Sequence, residues 1–383
     1  MLSVFKIFFA LGWVSFGGPA AHIGYFRATF VEKRRWLSDE EYAQLVALSQ
    51  FLPGPGSSQV GFAIGYKHAG LPGAIAAFLG FTLPSILLML ALATLSTALT
   101  DNSYFHGVIH GLKLLAVVVV ADAAWGMYKN FCQNRLTAGL CFFTAVMLLI
   151  VPNLWTQITV LILAALIGQA LLKQQNTTAP KLSTAHHLNY FPLITFALLL
   201  FGLPVLAGIA PQLALFSDFY QAGSLVFGGG HVVLPLLQNL VGDQLSSDAF
   251  LTGYAAAQAV PGPMFTFATY IGYSLLPDMP LLGALLATFA VFLPGFLLLL
   301  GVLNGWQTLA AQPRLAGAIS GVNAAVVGLL LSALYQPVFS SAVLGPVDMA
   351  LIFVGAFLLR VVNVPIILLV TFFVLAGLGI GLI

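Results

Sequence analysis

Helix breakers stand beside hydroxyl groups in the stretch Gln50-Phe51-Leu52-Pro53-Gly54-Pro55-Gly56-Ser57-Ser58-Gln59, and strongly apolar chain follows it. The pattern returns 208 residues later as Gln258-Ala259-Val260-Pro261-Gly262-Pro263-Met264-Phe265-Thr266. In an apolar solvent each unpaired backbone N–H or C=O group is costly, so a broken helix survives only where protein or a wet cavity covers it. Two copies of one break therefore predict a shared internal site.

The composition around these breaks is that of an integral membrane protein. Hydrophobic residues make up 60% of the chain and charged residues only 6%, whereas an ordinary soluble domain is about 25% charged. Mean hydropathy is +1.02, and several apolar runs reach the roughly 20 residues that cross a hydrocarbon core. These runs predict helices, because a membrane barrel would show alternating segments of about 10 residues.

Several functions are disfavoured by the same composition. The net charge is +2 and the basic residues are scattered, so nothing points to nucleic acid. We expect no enzyme, cofactor or metal, because the chain has neither a ligand cluster nor a nucleotide fingerprint. Cys132 and Cys141 lack a metal-ligand spacing and are expected to pack in the core. Residues 1–12 lack a signal-peptide pattern and predict a first membrane segment.

An internal repeat relates the two halves of the chain. Phe16-Gly17-Gly18 matches Phe227-Gly228-Gly229 at an offset of 211, and the Pro-Gly-Pro motifs match at 208. Pro84 with Pro294 and Gly111 with Gly321 match at 210. So small a drift argues against chance. We predict an N-terminal repeat at 1–172, a polar linker at 173–190, and a C-terminal repeat at 191–383 that begins with an extra span, 191–210.

Loop charges predict that the repeats are inverted. The loop after the first Gly-Gly motif contains Arg27, Lys33, Arg34 and Arg35, whereas residues 234–248 of the second copy contain no lysine or arginine. Loops rich in lysine and arginine tend to remain cytoplasmic. Opposite orientations require an odd number of crossings between equivalent points. This holds if the two broken segments of each copy re-enter the membrane and leave on the same side.

The predicted fold is therefore an all-α polytopic membrane protein with two inverted-topology repeats and re-entrant, broken helices. In the first copy the re-entrant hairpins are predicted at 2–30 and 39–70. Five full spans are predicted before the second copy, at 71–98, 103–128, 135–151, 154–172 and 191–210. This architecture is typical of secondary transporters.

The breaks are candidate anion sites. A helix that starts near Ser57 would direct unpaired N–H groups and the positive end of its dipole into the protein. Ser57, Ser58 and Thr266 could donate hydrogen bonds to an oxyanion. The alternative is that proline and glycine serve tight packing and the hydroxyls cap their own helices. Gln50 and Gln258, three residues before each Pro-Gly-Pro, are matched amides that could line the site.

Ionisable side chains in the apolar segments supply further candidates. Lys113 lies about 10 residues into a predicted span and needs a reason to be there. His110 lies on the same helix face as Lys113, so this face suits an anionic substrate. The alternative is that Lys113 pairs with a carboxylate. The repeat counterpart of Lys113 is Asn323. His22 and His231 follow the Gly-Gly breaks and could exchange protons near neutral pH.

These arguments give two predicted sets of residues. The substrate-binding set is Gly17, Gly18, Gln50, Pro53, Gly54, Pro55, Gly56, Ser57, Ser58, Lys113, Gly228, Gly229, Gln258, Pro261, Gly262, Pro263, Thr266 and Asn323. The proton-coupling set is His22, His110 and His231.

A family resemblance rests on the paired motifs. The sequences F-G-G-P at 16–19, W-L-S-D-E-E-Y at 36–42 and Q-F-L-P-G-P at 50–55, with the weaker copies F-G-G-G and Q-A-V-P-G-P, resemble the chromate ion transporter family, long two-domain type. The resemblance covers nearly the whole chain. The second copy departs from it at Gly230, where the first has Pro19, so which half binds the ion stays open.

The resemblance implies export of chromate across the bacterial inner membrane by a multi-pass antiporter that uses the proton-motive force. The expected partners are a chromate- or sulfate-like dianion, protons and the lipid bilayer, with a homodimer also possible. Transport of sulfate or another oxyanion, an anion channel, and a membrane-embedded reductase are the alternatives. The reductase would need a redox cofactor site, for which the sequence has no motif.

Overall fold

The computed structural model describes residues 1–16, 18–98, 103–172, 188–227, 230–241, 244–306 and 312–380, which form helices and no β-strand. The helices up to the linker are α1 Leu2–Val14, α2 Gly18–Phe26, α3 Asp39–Phe51, α4 Gly56–Ala98, α5 Ser103–Phe131, α6 Arg135–Ile150 and α7 Leu154–Leu171. A π-helical stretch, Arg27–Lys33, continues α2. Non-helical backbone at Ala69 and Gly70 divides α4 into two arms, 56–68 and 71–98.

The rest of the chain repeats this order after one extra helix, α8 Tyr190–Leu206. The helices that follow are α9 Pro211–Leu225, α10 Val233–Val241, α11 Ser247–Ala259, α12 Phe267–Leu275, α13 Pro280–Val302, α14 Pro313–Ala333, α15 Pro346–Arg360 and α16 Ile366–Ile380. The two arms of α4 correspond to α12 and α13. The short helical turns Gly230–Val232 and Met264–Thr266 precede α10 and α12, and Leu334–Phe339 continues α14 as a π-helix.

The first two helices form a re-entrant hairpin. The ring of Phe8 on α1 lies 5.6 Å from that of Phe26 and 4.8 Å from that of Phe30, so α2 runs back along α1. Gly80 packs on Phe5, and Gly12 packs on Phe81 and Pro84, so α1 runs parallel to the arm 71–98. Since Pro84 is midway along that arm, the chain turns back near the middle of the bundle.

The second hairpin consists of α3 and the arm 56–68. Its two open ends meet, because Lys67 Nζ lies 3.1 Å from a carboxylate oxygen of Glu41 and the rings of Trp36 and His68 stack at 3.7 Å. Ser38 caps α3 through a capping box with Glu41. The tip at Pro53–Gly56 therefore lies inside the bundle, as the Pro-Gly-Pro motif predicts.

The second repeat enters from the opposite end. Its packing copies the first: Gly223 packs on Val291 and Pro294 as Gly12 packs on Phe81 and Pro84. Five crossing segments separate equivalent points of the repeats, namely the arm 71–98, α5, α6, α7 and α8. The Asn189 N–H at the start of α8 donates to Gly301 O at the end of α13, 2.8 Å away, which fits this alternation. The predicted inverted repeats with re-entrant helices are confirmed.

Charge is segregated between the two ends of the bundle. We call the end that holds Met1 and the Glu41–Lys67 pair the basic side. Ten described lysines and arginines lie towards it: Lys6, Arg27, Lys33, Arg34, Arg35, Lys67, Lys129, Arg135, Arg314 and Arg360. Among the described cations only Lys113 lies towards the opposite side. By the positive-inside rule, the basic side is expected to face the cytoplasm.

Helices of each repeat pack closely against helices of the other repeat. Gly107 and Gly111 on α5 pack against Gly377 and Phe373 on α16, and Gly317 and Gly321 on α14 pack equivalently against α7. Small residues permit this close approach of backbones in a membrane bundle. Among the described residues, four helices are long and apolar enough to cross a bilayer, at Gly56–Ser96, Tyr104–Phe131, Pro280–Val302 and Pro313–Ala342, and further apolar helices are shorter. The chain is a multi-pass membrane protein.

Candidate functional site

The helix breaks of the two repeats meet near the middle of the molecule. The Gly54 N–H donates to Val226 O over 2.7 Å, and the Gly262 N–H donates to Ser15 O over 2.9 Å. These bonds are equivalent, because Ser15 and Val226 each precede a Phe-Gly-Gly motif and Gly54 and Gly262 are the central residues of the Pro-Gly-Pro motifs. Each Pro-Gly-Pro turn therefore bonds to the residue that precedes the other repeat's Phe-Gly-Gly motif.

Glycine is required at both turns. Gly54 has φ +117° and Gly262 has φ +98°, a region that L side chains rarely adopt. A methyl group would also collide with the other repeat. It would lie 2.9 Å from the Cα of Gly295 if added at Gly54, and 2.8 Å from Ser85 Oγ if added at Gly262. The turns thus depend on close contact between the repeats.

New helices begin immediately after the turns. Helix α4 begins at Gly56, so the first-turn N–H groups at Gly56, Ser57 and Ser58 lack intrahelical acceptors. In the second repeat, the Thr266 hydroxyl donates to Pro263 O over 2.8 Å. The Thr266 hydroxyl is therefore used within its own turn, whereas Ser58 Oγ has no hydrogen-bond partner among the described residues.

A buried histidine connects the two hairpins of the first repeat. His22 is 1% exposed, and its ring nitrogens lie 3.1 Å from Ser57 Oγ and 3.2 Å from Ser15 O. Because a carbonyl only accepts, the hydrogen lies on Nε2 in the neutral ring, and Nδ1 accepts from the Ser57 hydroxyl. In that state the hydroxyl hydrogen of Ser57 is committed to His22.

Several buried polar atoms in this region have no hydrogen-bond partner in the described part of the chain. They are Ser15 Oγ, Ser58 Oγ, Gln59 Oε1 and Thr82 Oγ1. The amide nitrogen of Gln59 is used, since it donates to Pro53 O and Gly295 O at 2.9 and 3.0 Å. Buried hydroxyls normally find an acceptor, so the three unused hydroxyls are candidate donors to a bound anion.

A cavity of about 700 Å³ extends from the breaks towards the basic side. Its wall is formed by Phe16, Gly18, Pro19, Tyr25, Val119, Asp122, Ala123, Gly126, Met127, Asn130, His231, Ala257, Gln258, Val260, Gly262, Met264, Leu359, Pro365, Ile366 and Ile367. Four of the predicted residues, Gly18, Gln258, Gly262 and His231, therefore share one cavity. Both repeats contribute to its deep end.

Comparison with known proteins identifies the fold's family. The sequence profile of the family described as chromate transporter matches residues 2–169 and 213–380. The chain belongs to the chromate transporter family. Its two matched segments are offset by 211 residues, which agrees with the internal repeat.

Named relatives agree with the family profile. A probable chromate transport protein of Synechococcus elongatus is 30% identical over 86% of this chain and 82% of its own length. A chromate transport protein of Cupriavidus metallidurans is 28% identical over 85% and 80%. An uncharacterized transporter of Methanocaldococcus jannaschii is 27% identical over 94% and 89%. No solved structure matches the chain.

In this chromate transporter family member Lys113 lies away from the breaks. Its side chain is 9% exposed and forms an ion pair with Asp248 on α11, whose side chain is 75% exposed. Its neighbour His110 lies 2.7 Å from a carboxylate oxygen of Asp348 on α15. Both pairs lie towards the side opposite the cavity, and the pairing of Lys113 is the alternative that the sequence left open.

The remaining predicted residues fall in several places. His231 reaches the hydroxyl of the buried Tyr254 at 2.8 Å, while Asn323 is buried with no partner for its amide oxygen among the described residues. Gln258 lines the cavity, whereas its repeat partner Gln50 is exposed. Pro53, Pro55, Gly56, Pro261 and Pro263 form the turns themselves. Gly17, Gly228 and Gly229 lie outside the described residues.

Five residues at the breaks or the cavity were not among the predicted site residues, namely Ser15, Gln59, Thr82, Asp122 and Asn130. Asp122 lines the cavity and pairs with Arg360, which also donates to the Asp122 carbonyl over 3.2 Å. Asp122 follows Lys113 by nine residues and so lies on the other face of α5, and no sequence pattern indicates that this face borders a cavity. Ser15 and Gln59 could have been found as the polar residues that directly flank the two breaks.

Proposed function

We propose that this chain is a secondary active transporter that exports chromate from the bacterial cytoplasm across the inner membrane. The observation that carries the proposal is the joined pair of helix breaks at the deep end of a cavity that extends towards the basic side. The family and the names of the relatives supply the anion. Of the residues predicted to bind the substrate, we assign this role only to those at the joined breaks.

The anion would be held by neutral donors and helix ends. First-turn N–H groups at Gly56, Ser57 and Ser58 carry the positive end of a helix dipole, the arrangement that binds oxyanions in many proteins. The unused hydroxyls of Ser15, Ser58 and Thr82 add donors. We do not include Lys113 among the groups that hold the anion, because its ammonium group is already paired with Asp248.

The membrane potential would drive export. Moving one charge across 100 mV is worth about 2.3 kcal/mol, and a dianion that leaves a negative interior gains roughly twice that amount. This electrical component of the proton-motive force favours outward movement of chromate without a further ion. Asp122 does not oppose entry strongly, because Arg360 neutralises it at the cavity wall.

Proton dependence would enter through His22. A proton on Nδ1 would make the ring donate to Ser57 Oγ, and the Ser57 hydroxyl hydrogen would become free for the anion. Acid on the basic side would therefore strengthen anion binding there, and the proton returns to that side rather than leaving with the anion. His110 and His231 are weaker candidates for this role, because their side-chain partners, Asp348 and Tyr254, are not residues of a helix break, so their protonation would free no donor there.

Flux into proteoliposomes tests the proposal. Uniformly oriented vesicles receive labelled chromate or sulfate, with a potassium-diffusion potential, a pH gradient, both or neither. We expect the potential to drive accumulation of chromate against its gradient, with sulfate competing. At zero potential a carrier should show counterflow, in which unlabelled anion inside the vesicles accelerates uptake of label. Absence of counterflow would indicate a channel, and accumulation of sulfate without chromate would change the substrate. No anion flux under any condition would contradict the proposal.

A further inference from the structure

A second, smaller pocket lies on the side of the molecule opposite the cavity. It has a volume of about 290 Å³ and lies between α6, α10 and the end of α14. Its polar wall consists of the neutral side chains Gln238, Asn239, Ser332 and Gln336. None of these residues takes part in the function proposed above.

The internal repeat relates this outer pocket to the cavity. Four wall positions on α5 are equivalent, at an offset of 210, to four on α14 and its π-helical continuation. The pairs are Val119 with Leu329, Asp122 with Ser332, Ala123 with Ala333, and Gly126 with Gln336. Leu359 of the cavity and Leu149 of the pocket are equivalent at the same offset. Because the repeats are inverted, equivalent walls face opposite sides of the membrane.

The two spaces differ at their deep ends. The cavity reaches the breaks at Gly18 and Gly262, whereas the described wall of the outer pocket contains no residue of either break. The cavity at the breaks therefore extends towards the basic side, whereas the outer pocket lies on the other side and does not reach them. In transporters with inverted repeats, alternating access moves one repeat against the other around a fixed site.

We propose that the outer pocket is the exit of the anion path, and that Gln238, Asn239, Ser332 and Gln336 hydrogen-bond the oxyanion there. This inference rests on the proposed function. The amide and hydroxyl donors carry no charge, so they bind a dianion loosely enough to release it. Gln157 behind the wall accepts from Asn239, and its own buried amide nitrogen has no partner in the described chain. It is a further donor for a ligand.

Side-resolved thiol labelling tests the position of the exit. In a Cys132→Ala, Cys141→Ala background, Ser332→Cys is compared with Ala123→Cys, the equivalent of the neighbouring Ala333 in the inner cavity. A membrane-impermeant anionic methanethiosulfonate reagent is added to right-side-out and to inside-out vesicles. We expect Ser332→Cys to react at least tenfold faster from the outer side, and Ala123→Cys at least tenfold faster from the basic side.

The exposed position Gln336→Cys repeats the outer measurement without a buried substitution. Reaction of Ser332→Cys from the basic side, or of neither outer cysteine from the outer side, would overturn the inference. These rates do not depend on transport. If the wild type carried no anion flux while the labelling pattern held, the proposed function would fail and the position of the outer pocket would stand.

Direction-resolved kinetics test whether the amides contact the anion. In oriented proteoliposomes, Gln238→Leu should raise the KM for chromate entering from the outer side at least threefold and leave the KM from the basic side unchanged. Gln244→Leu, on the same side but outside the pocket wall, is the matched control and should change neither. An equal change in both directions, or no change in either, would contradict the assignment.

Discussion

Gly54 shows how one residue serves both the fold and the site. Its positive φ and its N–H bond to Val226 form the turn, and its missing side chain admits Gly295 of the other repeat. The Pro-Gly-Pro motif predicted a break and a glycine requirement. It could not predict the partner atoms, because these belong to two segments about 170 and 240 residues away, which come close only when the helices pack together.

Substituting Gly54 tests this dual role. Gly54→Ala should destabilise the protein by about 1 to 3 kcal/mol, since alanine is strained at positive φ and its methyl group meets Gly295. Chromate flux should fall at least tenfold. Thermal unfolding in detergent and proteoliposome flux measure the two effects.

The matched control is Gly24→Ala, which lies in α2 of the same repeat with open space around the added methyl group. It should keep both stability and flux. If Gly54→Ala behaved like this control, the turn would not depend on glycine and the joined breaks would lose their support.

His22 was predicted from its place after a Gly-Gly break, but its contacts with Ser57 and Ser15 were not. We expect the KM for sulfate on the basic side to stay constant near neutral pH and to fall only as the pH of that side falls below about 6, because burial of His22 disfavours its charged form and protonation frees the Ser57 hydroxyl. Sulfate is the anion to use, since it stays a dianion throughout. In His22→Gln the KM should no longer depend on pH, and a variant that kept the wild-type profile would exclude His22.

At the scale of the helix, α5 was predicted as a single membrane span that contains the cation Lys113, and the structure has one continuous helix there. Its role is larger, because it packs against helices of the other repeat, borders the cavity through Asp122 and pairs through Lys113 with α11. An apolar pattern fixes where a membrane helix runs but not its neighbours, since lipid tails are as apolar as leucine. The close packing of helices between repeats was therefore not predictable.

The Lys113–Asp248 pair gives a test at this scale. Asp248→Asn should lower the free energy of unfolding by about 1 to 2 kcal/mol and Lys113→Gln by less, because only the first leaves a buried cation unpaired. The double variant should resemble Lys113→Gln. Denaturation of the three purified variants measures this order. Loss of chromate binding in Lys113→Gln with stability retained would instead return Lys113 to the anion site.

At the scale of the molecule, loop charge and crossing parity together predicted the inverted repeats, and the contacts between hairpin ends confirm them. The two cavities of unequal size were not predicted. Sequence equivalence describes what the repeats share, whereas the cavities reflect the different conformations that two similar halves adopt. That difference is the property a transporter needs to expose one site to each side in turn.

Charge segregation across the whole molecule makes a prediction for the unmodified protein. Trypsin should cut inside-out membrane vesicles at the exposed Arg34 and Arg35 and leave right-side-out vesicles intact. The one described cation towards the outer side, Lys113, is buried. Fragment masses after lysis of each vesicle type identify the cuts. Cleavage at these arginines from the outer side would reverse the orientation assigned here.

The central claim is that the joined breaks bind the anion at the deep end of the inner cavity. Protection of single cysteines tests it most directly, with Val260→Cys beside the breaks and Asn130→Cys farther along the cavity wall on α5. Saturating chromate, or sulfate as a non-oxidising tetrahedral dianion, should slow thiol modification at Val260→Cys at least fivefold and leave Asn130→Cys unchanged. Equal modification of Val260→Cys with and without an anion concentration that saturates transport would contradict the claim.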